Sequence, residues 1–252
     1  METTAKTIVF CGVHFMAETA CILNPEKTVL LPKEHAGCDL ADMATLDQVQ
    51  KKKREHPDAA VVSYVNSSAA IKSVSDICCT SANAVEVVNS LPQQKIIFIP
   101  DKNLGSYIAE RTNKTIILWQ GYCYVHEQIQ PSKIKELQQK HPDAIVIVHP
   151  ECPSRIRDLA EYIGSTSKMT TYTQESEADE FIVGTDDNFI HHLKKHNPEK
   201  SFFSLDTGCH GMREIQLHDV KIALEEQEHV ITVPEPIRKK AFNALDKMMK
   251  VV

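Results

Sequence analysis

The apolar positions of the chain fall into short runs separated by longer amphipathic stretches. Thr7 to Cys11, Thr28 to Leu31, Ala59 to Tyr64, Ile77 to Thr80, Lys95 to Ile99, Thr115 to Leu118, Ala144 to Val148, Phe181 to Val183, Ser201 to Leu205 and His229 to Val233 each read as a strand. Most are brief Val/Ile-rich runs, the pattern of parallel strands covered on both faces. Between them, Phe15 to Leu23, Thr45 to Glu55, Ser68 to Ser75, Asn83 to Leu91, Asn103 to Arg111, Ser132 to Lys140, Pro153 to Glu161, Asn188 to His196, most of Met212 to Glu225, and Pro236 to Lys250 read as helices. Thr45 stands where an N-cap belongs, with Asp47 in the first turn. Strands and helices in alternation predict α/β units with parallel sheets, and in such sheets ligands sit at the carboxyl ends of the strands.

The pattern repeats. His56-Pro57-Asp58-Ala59 recurs 85 residues later as His141-Pro142-Asp143-Ala144. At the same offset Tyr64-Val65-Asn66 matches His149-Pro150-Glu151, Thr80-Ser81 matches Ser165-Thr166, and Ile96 to Asp101 matches Phe181 to Asp186. Cys38, Cys123 and Cys209 each follow a strand and stand 85 and 86 residues apart. A domain-sized period predicts stacked α/β units rather than a solenoid. The expected architecture is three αβα units with small parallel sheets around a pseudo-threefold axis, occupying residues 1–53, 54–138 and 139–252, the last including a C-terminal helix. The first unit is expected to be incomplete. Its counterpart of the His-Pro-Asp-Ala strand would fall before residue 1, so roughly 30 to 45 residues that complete it are expected to be absent from this sequence. Without them the strand Thr7 to Cys11 is expected to lose one parallel neighbour and to leave an apolar edge open.

Composition narrows the function classes. The apolar share of 42% is ordinary for a globular chain, and the net charge of −6 argues against nucleic acid, which wants a basic face. No apolar run approaches the ~18 residues of a membrane span, and Met1 to Lys6 is no signal peptide, so a cytoplasmic protein with no membrane partner is expected. Eight cysteines in such a chain point to metal ligation, catalysis or core packing rather than disulfides. Cys38, Cys123 and Cys209 have no local knuckle spacing. If the threefold axis brings them together they cap a metal cluster with one position open; otherwise they are three unrelated loop thiols. Cys11, Cys21, Cys78 and Cys79 read as core, and Cys152 has no repeat partner, since Ser67 stands at its place.

The strand ends carry the remaining chemistry. His149 and Glu151 lie two apart on one side of an extended chain, suited to acid–base work or to gripping a small anion. The plainer reading puts Glu151 at the dipole of the helix that Pro153 begins. Tyr64 and Asn66 repeat the arrangement with neutral groups. Ser81 and Thr166, beside helix starts, either cap those helices or help backbone N–H groups hold a carboxylate. His56, His141, His191, His192, His196, His218 and His229 read as solvated. A zinc hydrolase on His149 and Glu151 is disfavoured, because no second His lies at ligand spacing from them.

Gly12-Val13-His14-Phe15-Met16-Ala17-Glu18-Thr19, Tyr64-Val65-Asn66-Ser67-Ser68, Thr80-Ser81-Ala82-Asn83-Ala84-Val85-Glu86, Pro100-Asp101-Lys102-Asn103-Leu104-Gly105, Trp119-Gln120-Gly121-Tyr122-Cys123-Tyr124-Val125-His126, His149-Pro150-Glu151 and Gly164-Ser165-Thr166 together closely resemble quinolinate synthase, the iron–sulfur enzyme family of NAD biosynthesis. The resemblance runs through essentially the whole chain. It implies a [4Fe–4S] cluster held by one cysteine per unit, matching Cys38, Cys123 and Cys209 and not Cys152. It implies substrate contacts at Tyr64, Asn66, Ser81, His149, Glu151 and Thr166, with His149, Glu151 and Tyr64 in catalysis. The implied reaction is a transferase-type condensation of iminoaspartate with dihydroxyacetone phosphate, losing phosphate and two waters, with a functional link to an iminoaspartate-producing enzyme. The family's Ala-His-x-Tyr and Gly-Asp-Ser motifs have no counterpart here, in line with the gap in the period. The expectation is a true start further upstream; the alternative is a truncated, inactive remnant that binds a cluster or a small dicarboxylate without catalysis.

Overall fold

The computed structural model describes residues 3–251. It opens with β1 (Thr7–Val9), α1 (His14–Leu23) and β2 (Thr28–Leu30), and a loop then leads through Cys38 into the short α2 (Asp39–Asp42). Next come α3 (Leu46–Glu55), β3 (Ala59–Tyr64), α4 (Ala69–Val74), β4 (Ile77–Cys79), α5 (Ala84–Ser90), β5 (Lys95–Ile99), α6 (Lys102–Ala109), β6 (Thr115–Leu118) and, past Cys123, α7 (Tyr124–Glu127). The same order returns as α8 (Pro131–Lys140), β7 (Ile145–Val148), α9 (Ser154–Arg157), β8 (Tyr162–Ile163), α10 (Thr166–Glu175), β9 (Glu180–Gly184), α11 (Asn188–His196), β10 (Ser201–Ser204) and, past Cys209, α12 (His210–Arg213). Helices α13 (Leu217–Glu226) and α14 (Glu235–Met249) follow.

Among the described residues the strands pair in parallel within three sheets: β1-β2, β4-β3-β5-β6 and, in the matching order, β8-β7-β9-β10. The internal period is written into the register. Val62 faces Ile77, and 85 residues on Ile147 faces Tyr162; Ala60 faces Ile96, and Ile145 faces Phe181. At the last pairing the register slips by one: Ile96 faces Ile116, whereas Phe181 faces Phe202. One extra residue between β9 and β10 therefore accounts for the 86-residue spacing from Cys123 to Cys209. The first sheet has two strands, β1 and β2, in the place of β5 and β6.

Alternating side chains explain why the strands read as unbroken apolar runs. Val62, Ile96 and Phe98 pack on one face of the second sheet, and Val61, Ile97 and Ile99 on the other. Val146, Val148 and Ile182 face one way in the third sheet, and Ile147, Phe181 and Val183 the other. Each of these side chains, fully buried, gains about 1.5–3 kcal/mol of transfer free energy, so both faces of each strand must stay covered. Helix α14 helps cover the second unit: Ala241, Ala244 and Leu245 pack with Ala69 and Cys78, and with Ile22 of α1. Thr45 caps α3 in a reciprocal box with Gln48, as its position predicts. Among the described residues, no helix is long and apolar enough to cross a membrane.

Four elements depart from the sequence reading. The stretch 229–233 is not a strand of a sheet. It touches β2 through one antiparallel bridge, Leu30 to Val230, because Gln227 and His229 take positive φ angles of 56° and 55° and break the extended run. The helix expected over Pro153 to Glu161 ends at Arg157, where Leu159 and Ala160 N–H groups turn back to the carbonyls three residues before them. β8 and α10 carried no apolar pattern strong enough to announce them: β8 has two residues, and α10 buries only Met169 and Thr173.

Candidate active site

The three matched cysteines take equivalent positions. Each immediately precedes a one-turn helix: Cys38 before α2, Cys123 before α7 and Cys209 before α12. The loops in front of them are tied alike. The N–H groups of His14, Lys102 and Asp187 donate to the carbonyls of Ala36, Gly121 and Thr207 at 2.8, 2.8 and 2.9 Å. In the second and third units an aspartate adds a further tie: Cys123 N–H donates to Asp101 Oδ2 at 3.2 Å, and Cys209 N–H to Asp186 Oδ2 at 2.7 Å. Val13 stands at the corresponding place in the first unit. Tyr124 stacks on His210 with centroids 5.2 Å apart and accepts the His210 N–H, joining α7 to α12.

All three cysteines line one central cavity of about 660 Å³. They also line a smaller cleft of about 200 Å³ with residues of the three short helices. The thiols therefore border both spaces. Burial, with the neighbouring Cys123 and Cys209 adding to it, pushes the Cys38 thiol up to about 12. The cavity is largely apolar, with Phe10, Val13, Phe15, Met16, Val65 and Val125 in its walls, and besides the cysteines its polar groups are few: Thr19, Asn66, Thr80, His126, Glu151 and Asp186.

Behind Glu151 stands a buried polar relay. Tyr64 OH donates to Glu151 Oε1 at 2.7 Å. Glu151 N–H donates to His149 Nδ1 at 3.3 Å, which leaves the His149 proton on Nε2, 3.1 Å from Ser81 Oγ. The Arg157 guanidinium fixes this turn, donating to the Cys152 carbonyl at 2.7 Å and across to the Asn103 carbonyl of α6 at 3.2 Å. His126, one turn on from Cys123, stacks on His149 at 4.9 Å and places Nδ1 3.5 Å from Glu151 Oε2. Its Nε2 lies 3.0 Å from Thr185 Oγ1.

Electrostatics assign the charges. Burial lowers His149 to about 4, so its imidazole is neutral. Burial works against a charge on His126 too, but the Cys123 sulfur and the Glu151 carboxylate outweigh it and raise that imidazole well above its ordinary range. Burial alone would raise Glu151; the His126 imidazolium and the Tyr64 hydroxyl hold it down. Burial and then Glu151 push the Tyr64 hydroxyl well up, so it stays a donor. Two stacked imidazoles cannot both be charged at this distance, and the resting arrangement is a Glu151 carboxylate facing a His126 imidazolium. Burial, with Glu151 next, raises Asp101 to about 7.

The sequence-predicted residues distribute unevenly. Tyr64, Ser81, His149 and Glu151 come together in the relay, and Asn66 lines the cavity. Thr166 does not join them by a hydrogen bond; it begins α10 with an exposed side chain. Neither Ser81 nor Thr166 is a helix cap. Ser165 caps α10, accepting from Lys168 N–H at 3.3 Å, and Ser81 turns instead to His149. Cys78 and Cys79 are buried as expected and Cys21 is half-buried, but Cys11 is exposed, since β1 ends two residues before it. His141, expected in solvent, is half-buried and stacks on Phe203 with centroids 3.6 Å apart. Cys152 is buried with its thiol 3.4 Å from the Gly184 carbonyl, and Ser67 at the equivalent place is buried too. His126, Thr185, Asp101 and Asp186 were missed as site residues. The repeat aligns the two aspartates, and His126 follows Cys123 by three residues; those were the available signals.

Residues 1–250 match the family model described as NadA: Quinolinate synthetase A protein. The chain is 50% identical over 253 residues to the quinolinate synthase of Methanosarcina barkeri, covering 100% of this chain and 83% of that protein. It is 50% identical over 252 residues to the quinolinate synthase of Geotalea uraniireducens, covering 99% and 83%. The quinolinate synthase of Clostridium kluyveri is 46% identical over 253 residues, covering 99% and 84%.

Proposed function

The chain belongs to the quinolinate synthase family, enzymes of NAD biosynthesis, and from that premise we propose that its central cavity condenses iminoaspartate with dihydroxyacetone phosphate, using a [4Fe–4S] cluster held by Cys38, Cys123 and Cys209. The observation that carries the reading is the meeting of three equivalent cysteines and Glu151 on one cavity, with Tyr64, His149 and Ser81 linked behind that glutamate.

The residues fit the cluster. Thiolates are the ligands such clusters take, and the three come from pseudo-equivalent helix starts around one axis. They share a cavity without forming a group tight enough to grip one ion among them, as a body larger than an ion requires. A bound cluster supplies one iron without a cysteine ligand, a Lewis acid for substrate oxygen or nitrogen. The chain supplies the rest. Glu151, ionised and facing the cavity, accepts protons as carbon–nitrogen and carbon–carbon bonds form. Tyr64 holds that carboxylate in place. His149, neutral and with its proton on Nε2, relays between Glu151 and Ser81. Asn66 and Ser81 hold carboxylate groups, with the N–H groups at the start of α10, where Thr166 stands, as a further anchor. The apolar walls around Phe15, Val65 and Val125 discourage bulk water, which favours a sequence that expels two water molecules.

The three units are read as residues 1–53, 54–138 and 139–252, working in the cytoplasm alongside an enzyme that makes iminoaspartate. The test is quinolinate formation by anaerobically prepared protein given iminoaspartate and dihydroxyacetone phosphate. Stoichiometric release of phosphate and quinolinate is expected. Protein that carries its cluster yet forms no quinolinate contradicts the reading.

A further inference from the structure

The cavity wall holds one group that the condensation leaves without a partner. His126 Nδ1 is buried and makes no hydrogen bond. Glu151 Oε2, at 3.5 Å, is too far to satisfy it well, and buried polar atoms without partners are rare. Around this atom the Cys123 sulfur, a His126 ring nitrogen and a Glu151 carboxylate oxygen all lie within 4.8 Å of one another. Thiolate, imidazole and carboxylate are the donors zinc takes, and three protein ligands with a fourth position open to water is a common form of its sites. Bonds of about 2.0–2.3 Å in a tetrahedron set such donors roughly 3.3–3.8 Å apart. The trio would have to close by about an ångström, within the reach of small side-chain rotations.

The surrounding contacts suit a metal site. His126 Nε2 is 3.0 Å from Thr185 Oγ1, which anchors the ring and leaves Nδ1 facing Cys123 and Glu151. Tyr64 OH occupies Glu151 Oε1 at 2.7 Å and leaves Oε2 available. Partners of this kind keep metal ligands in orientation. Cys123, His126 and Glu151 all line the central cavity, which gives an ion a route in. The three cysteines, by contrast, form no comparably close group among the described residues.

We propose that the cluster-free chain binds one zinc ion at Cys123, His126 and Glu151, and that zinc and the cluster exclude each other because both claim Cys123. Binding releases the Cys123 thiol proton, and any proton on His126 Nδ1, to water. The zinc site stands on the three side chains themselves; the exclusion rests on the cluster ligation proposed above.

The test titrates the full chain, prepared without cluster under anaerobic reducing conditions, with zinc against a chromogenic chelator and with cobalt(II) as a spectroscopic probe. One ion per chain is expected, with a sulfur-to-cobalt charge-transfer band and the visible bands of a four-coordinate site. Cys38→Ser and Cys209→Ser should keep the affinity, whereas Glu151→Gln and His126→Ala should lose at least tenfold. Circular dichroism checks each fold, and the near-isosteric Glu151→Gln reads the site even where His126→Ala does not fold. Unchanged affinity in folded Glu151→Gln overturns the proposal. So does an equal loss in Cys38→Ser, which would mean an ion gripped by the thiols. Cluster-loaded protein should take up no zinc. Uptake with the cluster intact, still abolished by Glu151→Gln, would uphold the zinc site and remove Cys123 from the cluster.

Discussion

Removing a single oxygen atom tests whether Tyr64 and Glu151 act as a pair. In Tyr64→Phe the buried ring stays, and the 2.7 Å hydrogen bond to Glu151 Oε1 goes. The carboxylate oxygen then loses that donor, and His149 Nδ1, 3.4 Å away, carries no proton to replace it. A hydrogen bond to a charged group contributes about 1.5–3 kcal/mol. If Glu151 must be ionised and fixed in the transition state, that loss converts to a fall in kcat of roughly 10- to 150-fold, at about 1.4 kcal/mol per decade. The hydroxyl is also among the groups that hold the Glu151 carboxyl low, so its removal raises that carboxyl. The assay is quinolinate formation by chromatography, with wild type and variant matched for iron content and KM read separately for both substrates. A kcat within twofold of wild type at equal iron would refute the pairing.

Two further outcomes follow from groups outside the relay. Burial lowers Lys72 from its usual 10.5 to about 8, so between those values the unfolded chain holds a proton that the folded chain lacks, and stability rises with pH. The gain is at most about 3 kcal/mol across that window; denaturant melts should show it in wild type and not in Lys72→Met, and parallel curves would contradict it. A Cβ on Gly211 would overlap the Gly37 carbonyl oxygen, so Gly211→Ala should displace the loop before Cys38, cost about 1–3 kcal/mol and lower iron retention; an unaltered melt and iron content would show that the loop has slack.

The sequence carried the period, and with it the pseudo-equivalence of Cys38, Cys123 and Cys209, because parallel strands buried on both faces leave brief unbroken Val/Ile runs that recur at a fixed offset. Even the one-residue excess before Cys209 was visible as an 86-residue spacing, although its place between β9 and β10 needed the strand pairing. His149 and Glu151 were legible for the same reason: they end a strand. His126 was not. It lies on a one-turn helix with no periodicity, and its meeting with Glu151 depends on how the second unit docks on the third. No second histidine lies at ligand spacing from His149 in the sequence, but the docking stacks His126 upon it. For Ser81 and Thr166 the sequence leaves capping and ligand holding open, because a hydroxyl beside a helix start looks the same whether it accepts from the helix or faces a side chain. α10 escaped notice because one face, with Met169 and Thr173, is all it buries.

The central claim is that the pseudo-equivalent cysteines, and not the buried one beside Glu151, hold the cluster. Its most direct test is the iron and sulfide content of anaerobically reconstituted Cys123→Ser and Cys152→Ser, measured together. Wild type and Cys152→Ser should each carry about four irons per chain with the broad visible absorption of an iron–sulfur cluster, and Cys123→Ser should carry almost none. Loss of iron from Cys152→Ser, in protein that keeps its fold, would contradict the assignment.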